Sequence, residues 1–299
     1  MTKIKNNSIT IVLIIISLIL LFVWIVFLNN SNKVEDDGKF NIVTTFYPME
    51  LIIKNISKDA KNLQIDNITK EIGGCVHEYS LTPDDAKIIE KADVLVINGG
   101  DMEHFIQNIN LKKLNIIDSS LDIKDLDTSS HFWMNIDLYI KQVENISNGL
   151  IKYNPENKEI YEKNAQEYIK KLNELKEIYN DIPSSDVNVA IMHDSFNYYK
   201  GKFNITASLI TGHEGNHSAN DLQDFVNKIK STQTKILLVD NDTFNNNQSL
   251  IDTIVNDTKI EVFQLNLIVE NTEDLNNYLD LMEYNYEIIE GMINYGKAY

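Results

Sequence analysis

The stretch that decides the fold is residues 74–99, which read GCVHEYSLTPDDAKIIEKADVLVING. Thr82 precedes Pro83 and two aspartates, and this pattern predicts a helix with Thr82 as its N-cap and the proline in its first turn. The apolar run VLVI that follows, bounded by Asn98 and Gly99, predicts a buried strand. A helix followed by a buried strand in this arrangement indicates one repeat of an α/β fold with a parallel sheet.

The same alternation continues on both sides of this stretch. The predicted strands are residues 40–46, 93–99, 114–118, 187–193, 204–210, 234–240 and 260–265, and the predicted helices between them include one from about Met102 and one over residues 195–203. Residues 154–183 interrupt the alternation with a long helical segment that keeps one apolar stripe. We therefore predict an α/β protein of two βαβ lobes, residues 39–153 and 184–299, joined by a single long rigid helix.

Residues 1–38 predict a membrane anchor and a hydrophilic tether. Residues 9–28 are uncharged and apolar, which matches the roughly 20 residues that a membrane-spanning helix needs. Lys3 and Lys5 before this run favour the cytoplasm for that end. We therefore expect an uncleaved anchor, with a cleaved signal peptide as the alternative, and the rest of the chain at the extracytoplasmic face of the cell membrane. Cys75 is the only cysteine, so no lipid-anchor cysteine lies near the apolar run.

Composition and motifs exclude several function classes. The chain has 44 acidic and 27 basic residues and a net charge of -17, whereas a nucleic-acid partner requires a basic face. The GxSxG motif of serine hydrolases and a glycine-rich phosphate loop do not occur in the sequence. Residues 213–217 read HEGNH and match the letters of the HExxH motif of metalloproteases, but that motif requires a helix, and these residues are predicted to form a glycine-containing loop. We therefore expect no nucleic-acid partner and a binding protein rather than an enzyme.

Three of the six histidines stand where a predicted strand or turn meets the next element. They are His77 in GCVHEY, His131 in SSHFWM and His193 in AIMHDS. Strand ends of an α/β sheet fan toward a common crevice, and imidazole is the commonest metal ligand in proteins. We therefore predict that the three imidazoles meet at one metal ion in the cleft between the lobes. The alternative is three separate histidines, each with its own hydrogen bonds.

The chain resembles the metal-binding subunits of bacterial zinc and manganese ABC uptake systems, the cluster A-I substrate-binding proteins. The resemblance runs from about Phe40 to the C-terminus. It is carried by the segments IVTTFYPMELIIKNI, GCVHEYSLTPDDAKIIEKADVLVINGGDMEHFI, SHFWMNIDLYIKQVENI, AIMHDSFNYYKGKFNI and SANDLQDFVNKIKSTQTKILLVD. It implies two α/β lobes bridged by one rigid helix. It also implies an extracytoplasmic, monomeric protein that captures a metal ion in its cleft and delivers it to an ABC permease in the membrane.

The resemblance also implies the metal ligands, which fall on His77, His131, His193 and Glu270. Manganese members commonly have a carboxylate at the position of His193, and three imidazoles suit zinc better than manganese, so we predict Zn(II) as the transported ligand and Mn(II) as the alternative. For the fourth ligand, Asp240 and a water molecule are the alternatives to Glu270. A metal-dependent surface adhesin and, with less support, a zinc hydrolase are the other functions considered.

Several polar or aromatic residues near these positions have predicted supporting roles. Residues adjacent to the ligands are predicted to orient the imidazoles or to wall the cleft, namely Glu78, Asp194 and Trp133. A polar glycine-containing loop is predicted to be either an ordinary solvated loop or an accessory metal-binding loop, and its residues are His213, Glu214 and His217. His104 is predicted to pack or to lie at the surface.

Overall fold

The computed structural model describes residues 14–24, 38–69, 79–107, 109, 114–124, 129–211, 218–269 and 277–298. The chain divides into two compact units, Met1–Lys39 and Phe40–Tyr299. The first unit contains helix α1, residues 14–24. Among the described residues, no helix combines the length and the apolar character that crossing a membrane requires.

The N-terminal part of the second unit is a parallel four-stranded sheet covered by helices. Its strands are β1 (Phe40–Thr44), β2 (Leu63–Asn67), β3 (Val94–Ile97) and β4 (Asn115–Asp118), and their order is β2-β1-β3-β4. Its helices are α2 (Tyr47–Ile56), α3 (Pro83–Glu90) and α4 (Ile136–Tyr153). Thr82 caps α3 as predicted, because its hydroxyl accepts from the Asp85 N–H while the Asp85 carboxylate accepts from the Thr82 N–H.

The C-terminal part repeats this topology. Its strands are β5 (Asn188–Ile191), β6 (Asn204–Ser208), β7 (Ile236–Asp240) and β8 (Glu261–Leu265), all parallel and in the order β6-β5-β7-β8. Its helices are α6 (Ala219–Ser231), α7 (Asn241–Asn246), α8 (Gln248–Thr258) and α9 (Tyr278–Ala298). In both sheets the strand order reverses beside the first strand, which places a topological switch point between β1 and β3 and another between β5 and β7. A crevice for ligands opens at the carboxyl ends of strands at such a point.

Helix α5 (Lys158–Asp181) connects the two sheets and packs against both halves of one continuous apolar core. Its residue Tyr168 lies with its hydroxyl 3.2 Å from that of Tyr139 on α4. Tyr139 in turn stacks on Tyr278 of α9, with ring centroids 3.6 Å apart. These buried aromatic contacts fix the long helix against helices of both lobes.

The structure confirms the predicted α/β class with two parallel sheets and one long helix, and it corrects several elements. Strand β2 and helix α4 are absent from the prediction. The helix predicted from about Met102 is one 3-10 turn, His104–Ile106, within the described residues, and the helix predicted over residues 195–203 is the 3-10 helix Asp194–Tyr199. In the described part of these segments the apolar residues Ile106, Phe196 and Tyr199 are buried from 3-10 turns, which supply the burial that the α-helical pattern predicted. The lobe boundaries given above remain predictions.

Candidate metal site

His131 and His193 approach the same point from different lobes. His131 lies in the connection between β4 and α4 and caps the 3-10 helix Phe132–Met134. His193 lies two residues after β5, at the carboxyl end of the strand beside which the C-terminal sheet changes direction. The ring centroids are 4.7 Å apart with an interplanar angle of 80°, and both side chains are almost completely buried. The two element ends therefore bring two imidazoles into contact across the lobes.

Asp194 completes a three-residue group with these histidines. Its Oδ1 lies 3.3 Å from His193 Nδ1 and 3.7 Å from His131 Nδ1. This oxygen is buried and accepts no hydrogen bond from the described part of the chain. One potential ligand atom from each of the three residues lies within 4.8 Å of the others. Two imidazoles and a carboxylate at this separation can all coordinate one divalent cation. Alternatively, the imidazoles coordinate the cation and the carboxylate supports them from outside the coordination shell.

Two serines orient the imidazole rings. His193 Nδ1 accepts from the Ser195 N–H at 3.2 Å and lies 2.8 Å from Ser195 Oγ. His131 Nδ1 lies 3.0 Å from Ser129 Oγ. Hydrogen bonds at one ring nitrogen fix the orientation of the other, so that Nε2 of each ring is held in a set direction. Neither serine is among the residues predicted from the sequence, although each stands two residues from its histidine.

Trp133 lies against His131 and connects the site to the other lobe. Its ring centroid is 5.1 Å from that of His131. Its Nε1–H donates to the carbonyl of Leu267 at 2.7 Å, and its own carbonyl accepts from the Tyr278 hydroxyl at 2.7 Å. Trp133 therefore ties the His131 turn to Leu267, which follows β8 and stands three positions before Glu270 in the sequence. Its predicted role as a wall of the cleft is a proposal that these contacts support.

The remaining candidates have other positions. Asp240 ends β7 and caps α7, since its Oδ1 accepts from the Thr243 N–H at 2.8 Å, while its Oδ2 is buried with no hydrogen bond from the described residues. Asp240 is not in the three-residue group. His104 is exposed and contacts Gln107. The other predicted site residues lie outside the described residues, namely His77, Glu78, Glu270, His213, Glu214 and His217.

Comparison with known proteins gives a consistent group. The family model for ZnuA, zinc-uptake complex component A, periplasmic, matches residues 42–292. The metal ABC transporter substrate-binding lipoprotein SsaB of Streptococcus sanguinis is 28% identical over 309 residues, covering 93% of this chain and 97% of that protein. The manganese ABC transporter substrate-binding lipoprotein scaA of Streptococcus gordonii is 27% identical over 292 residues, covering 88% and 92%. The crystal structure of the Zn(II)-bound ZnuA-like domain of Streptococcus pneumoniae AdcA has a TM-score of 0.69 and 25% identity, covering 86% of this chain and 100% of that chain.

These comparisons correct the predicted localisation. The sequence predicts anchoring by a helix over residues 9–28 and no lipid-anchor cysteine. The relatives that match nearly the whole chain are instead named lipoproteins. The prediction of a helix anchor is therefore wrong. The physical reason is that hydropathy over 20 residues measures only the free energy of burying apolar groups, which a cleaved leader and a permanent anchor share.

Proposed function

The chain belongs to the family of zinc-uptake complex component A, the substrate-binding proteins of ABC transporters for zinc or manganese, and we propose that its own substrate is Zn(II). Proteins of this class bind a metal ion, work with a membrane permease and an ATPase, and are not enzymes, so the predictions of metal transport and of no enzymatic activity are confirmed. The identity of the metal and of its ligands, delivery to one particular permease, and a monomeric state are parts of the proposal.

The observation that carries the proposal is the contact of two imidazoles from different lobes beside one buried carboxylate oxygen. Zinc favours imidazole nitrogen as a ligand, whereas manganese favours coordination shells rich in oxygen. We propose His77, His131, His193 and Glu270 as the ligands, with Asp240 or a water molecule as alternatives to Glu270. Asp194 is proposed to support both imidazoles electrostatically, because its Oδ1 lies 3.3 Å from His193 Nδ1 and 3.7 Å from His131 Nδ1.

Capture follows from the position of these groups. A zinc ion bound to His131 and His193 joins the end of β5 to the turn before α4, and thereby one lobe to the other. Helix α5 restricts the relative motion of the lobes, so we expect a small local closure on binding. The permease would distinguish the loaded protein from the empty one by that closure.

Metal titration of the full-length protein tests the proposal. After removal of metal by a chelator, zinc and manganese affinities are measured by competition calorimetry for the wild type and for His131→Ala, His193→Ala and His104→Ala. We expect each of the first two substitutions to weaken zinc binding at least about 100-fold, because each removes one ligand. His104→Ala is the matched control, since His104 is an exposed histidine of the same lobe as His131, and it should change affinity less than about twofold.

Two outcomes would contradict the proposal. Tighter binding of manganese than of zinc by the wild type would support the manganese alternative. The relative scaA is named for manganese transport. Unchanged zinc affinity in His193→Ala would exclude the proposed ligand set. A His193→Glu variant adds a direct check, because exchange of an imidazole for a carboxylate should lower the preference for zinc over manganese.

A further inference from the structure

We propose that Glu103 is a positioning residue for His131, and that zinc affinity depends on this carboxylate although it lies outside the group of His131, His193 and Asp194. The inference rests on the proposed function, because it treats His131 as a zinc ligand. It concerns a chain of hydrogen bonds that begins at Glu103 and ends at the residue before His131.

Both carboxylate oxygens of Glu103 accept hydrogen bonds within the N-terminal lobe. Oε1 accepts from the Thr45 hydroxyl at 2.8 Å and from the Asn98 N–H at 2.6 Å. Oε2 accepts from the Gly99 N–H at 3.1 Å. Thr45 follows β1 and Asn98 follows β3, so the carboxylate lies at the carboxyl ends of the two strands between which this sheet changes direction. Glu103 is 7% exposed, and three donors therefore hold it in one orientation.

The loop that Glu103 holds has an unusual backbone. Gly99, Gly100 and Asp101 have φ values of +80°, +62° and +62°. Successive residues with left-handed backbone cannot continue a strand or a helix, and their N–H groups require another acceptor. The Glu103 carboxylate is the acceptor for the Gly99 N–H, and it also accepts from the N–H of Asn98, the residue before this stretch. The loop therefore depends on this side chain for its conformation.

The same loop contacts the segment that carries His131. Asn98 Nδ2 donates to the Ser130 carbonyl at 2.9 Å, and Ser130 Oγ donates to the Gly100 carbonyl. Gln142 of α4 donates to Asn98 Oδ1 at 2.8 Å and so holds the Asn98 amide in the orientation that Ser130 needs. A Cβ atom at Gly100 would lie 2.6 Å from Phe132 Cζ, which shows how closely the loop packs against the residue after His131.

The 3-10 turn at Glu103 also contacts the chain that follows the first predicted ligand. Phe105 packs edge-on against Tyr79, with ring centroids 5.3 Å apart. The Tyr79 hydroxyl lies 2.5 Å from Asp85 Oδ2 and 3.1 Å from the Ile68 carbonyl oxygen. The segment from Asn98 to Phe105 therefore supports the His131 loop on one side and Tyr79 on the other.

Zinc titration of Glu103→Gln tests the inference. The substitution keeps the shape of the side chain but places an amide N–H2 where a backbone N–H now donates. We expect zinc affinity at pH 8 to fall about tenfold or more, the range found for residues that orient metal ligands. The decisive measurement is a double-mutant cycle. In a His131→Ala background Glu103→Gln should cause no further loss beyond about twofold, whereas in a His193→Ala background the full tenfold loss should persist.

Asn157→Asp is the matched control. Asn157 is buried at the start of the joining helical segment, where its side chain contacts the N-terminal lobe. Its Oδ1 accepts from the Lys61 N–H, and its Nδ2 donates to the Lys61 carbonyl and to Asn154 Oδ1. The control should lower stability and leave zinc affinity unchanged within about twofold. If Glu103→Gln does not fold, Ser130→Ala replaces it in the cycle, because it removes only the bond to Gly100, and its loss of affinity should likewise require His131.

Wild-type zinc affinity in a folded Glu103→Gln protein would overturn the inference, and so would a full loss in the His131→Ala background. Failure of the proposed function looks different, since His131→Ala would then leave zinc affinity unchanged by itself.

Discussion

The stability of the metal-free protein should fall with rising pH because of Glu103. Burial raises the pKa of Glu103 from 4.5 to about 7, even though hydrogen bonds from Thr45, Asn98 and Gly99 lower it, and Asp118 adds a smaller increase. The folded state therefore binds the Glu103 proton more tightly than the unfolded state does. This contribution to stability is fully present below the unfolded pKa and is lost as the pH rises through about 7.

The two pKa values give the magnitude. At about 1.4 kcal/mol per pKa unit, a change from 4.5 to about 7 corresponds to roughly 3 kcal/mol of preference of the folded state for the protonated acid. Two-state linkage places most of this loss, about 2–3 kcal/mol, between pH 5 and pH 8. The side-chain amide of the Glu103→Gln variant cannot ionise, so the variant lacks this contribution at every pH.

Urea unfolding of the wild type and of Glu103→Gln, both with chelator present, measures the effect at pH 5, 6.5 and 8. The difference between the two proteins cancels the titration of all other groups. We expect the wild type to lose about 2–3 kcal/mol relative to the variant across this range. Two curves that stay parallel within about 0.5 kcal/mol would refute the reasoning, because Glu103 would then titrate alike in the folded and unfolded states.

Three further predictions concern contacts near the site. Trp133→Phe removes the buried bond to the Leu267 carbonyl and should lower the free energy of unfolding by about 1–3 kcal/mol in urea titration; an unchanged midpoint would contradict the role of this bond. Gly100→Ala forces a Cβ against Phe132 at φ +62°, so we expect a loss of about 1–3 kcal/mol by the same measurement, and a variant as stable as the wild type would show that the loop can shift. Relative to protein with free zinc at about 100 times Kd, zinc-free protein should have a Tm lower by roughly 5–10 °C in calorimetry. A Tm that does not depend on zinc would argue against specific binding.

Elements with local signals are predictable from this sequence. The α3 start combines Thr82, Pro83 and Asp85 within four residues, and the structure has both hydrogen bonds of the capping box there. Helix α4 is missing from the prediction although comparable signals are present. Asn135 caps it by accepting from the N–H groups of the second and third residues after it, and its buried apolar positions keep three- and four-residue spacing.

Strand β2 shows where such signals end. Its sequence LQIDN has two apolar residues among five, and among the described strands it pairs with β1 alone, at the edge of the sheet. An edge strand buries less of its surface than a central strand, so it needs fewer apolar residues and has a weaker pattern. The parallel pairing with β1 supplies the stability that the local sequence lacks.

The candidate site divides in the same way. The approach of His131 to His193 follows from their positions at element ends, which sequence patterns indicate. The serines that contact the rings are local, whereas the loop that supports the His131 segment depends on residues distant along the chain, since Thr45 and Glu103 are separated by 58 positions and Asn98 and Ser130 by 32. No periodicity or motif reports such a pair, because each residue alone resembles an ordinary polar position.

The hydrogen bonds of Glu103 explain why this lobe contains a buried carboxylate. A carboxylate with its pKa raised to about 7 destabilises the folded protein at neutral pH relative to a protonated one, and an apolar side chain in the same space would avoid that cost. The three donors it binds belong to the ends of β1 and β3 and to a left-handed loop, a backbone that an apolar residue could not satisfy. Stability is thus given up in a loop that contacts the segment of His131, and departures from local rules of this kind concentrate where geometry serves function.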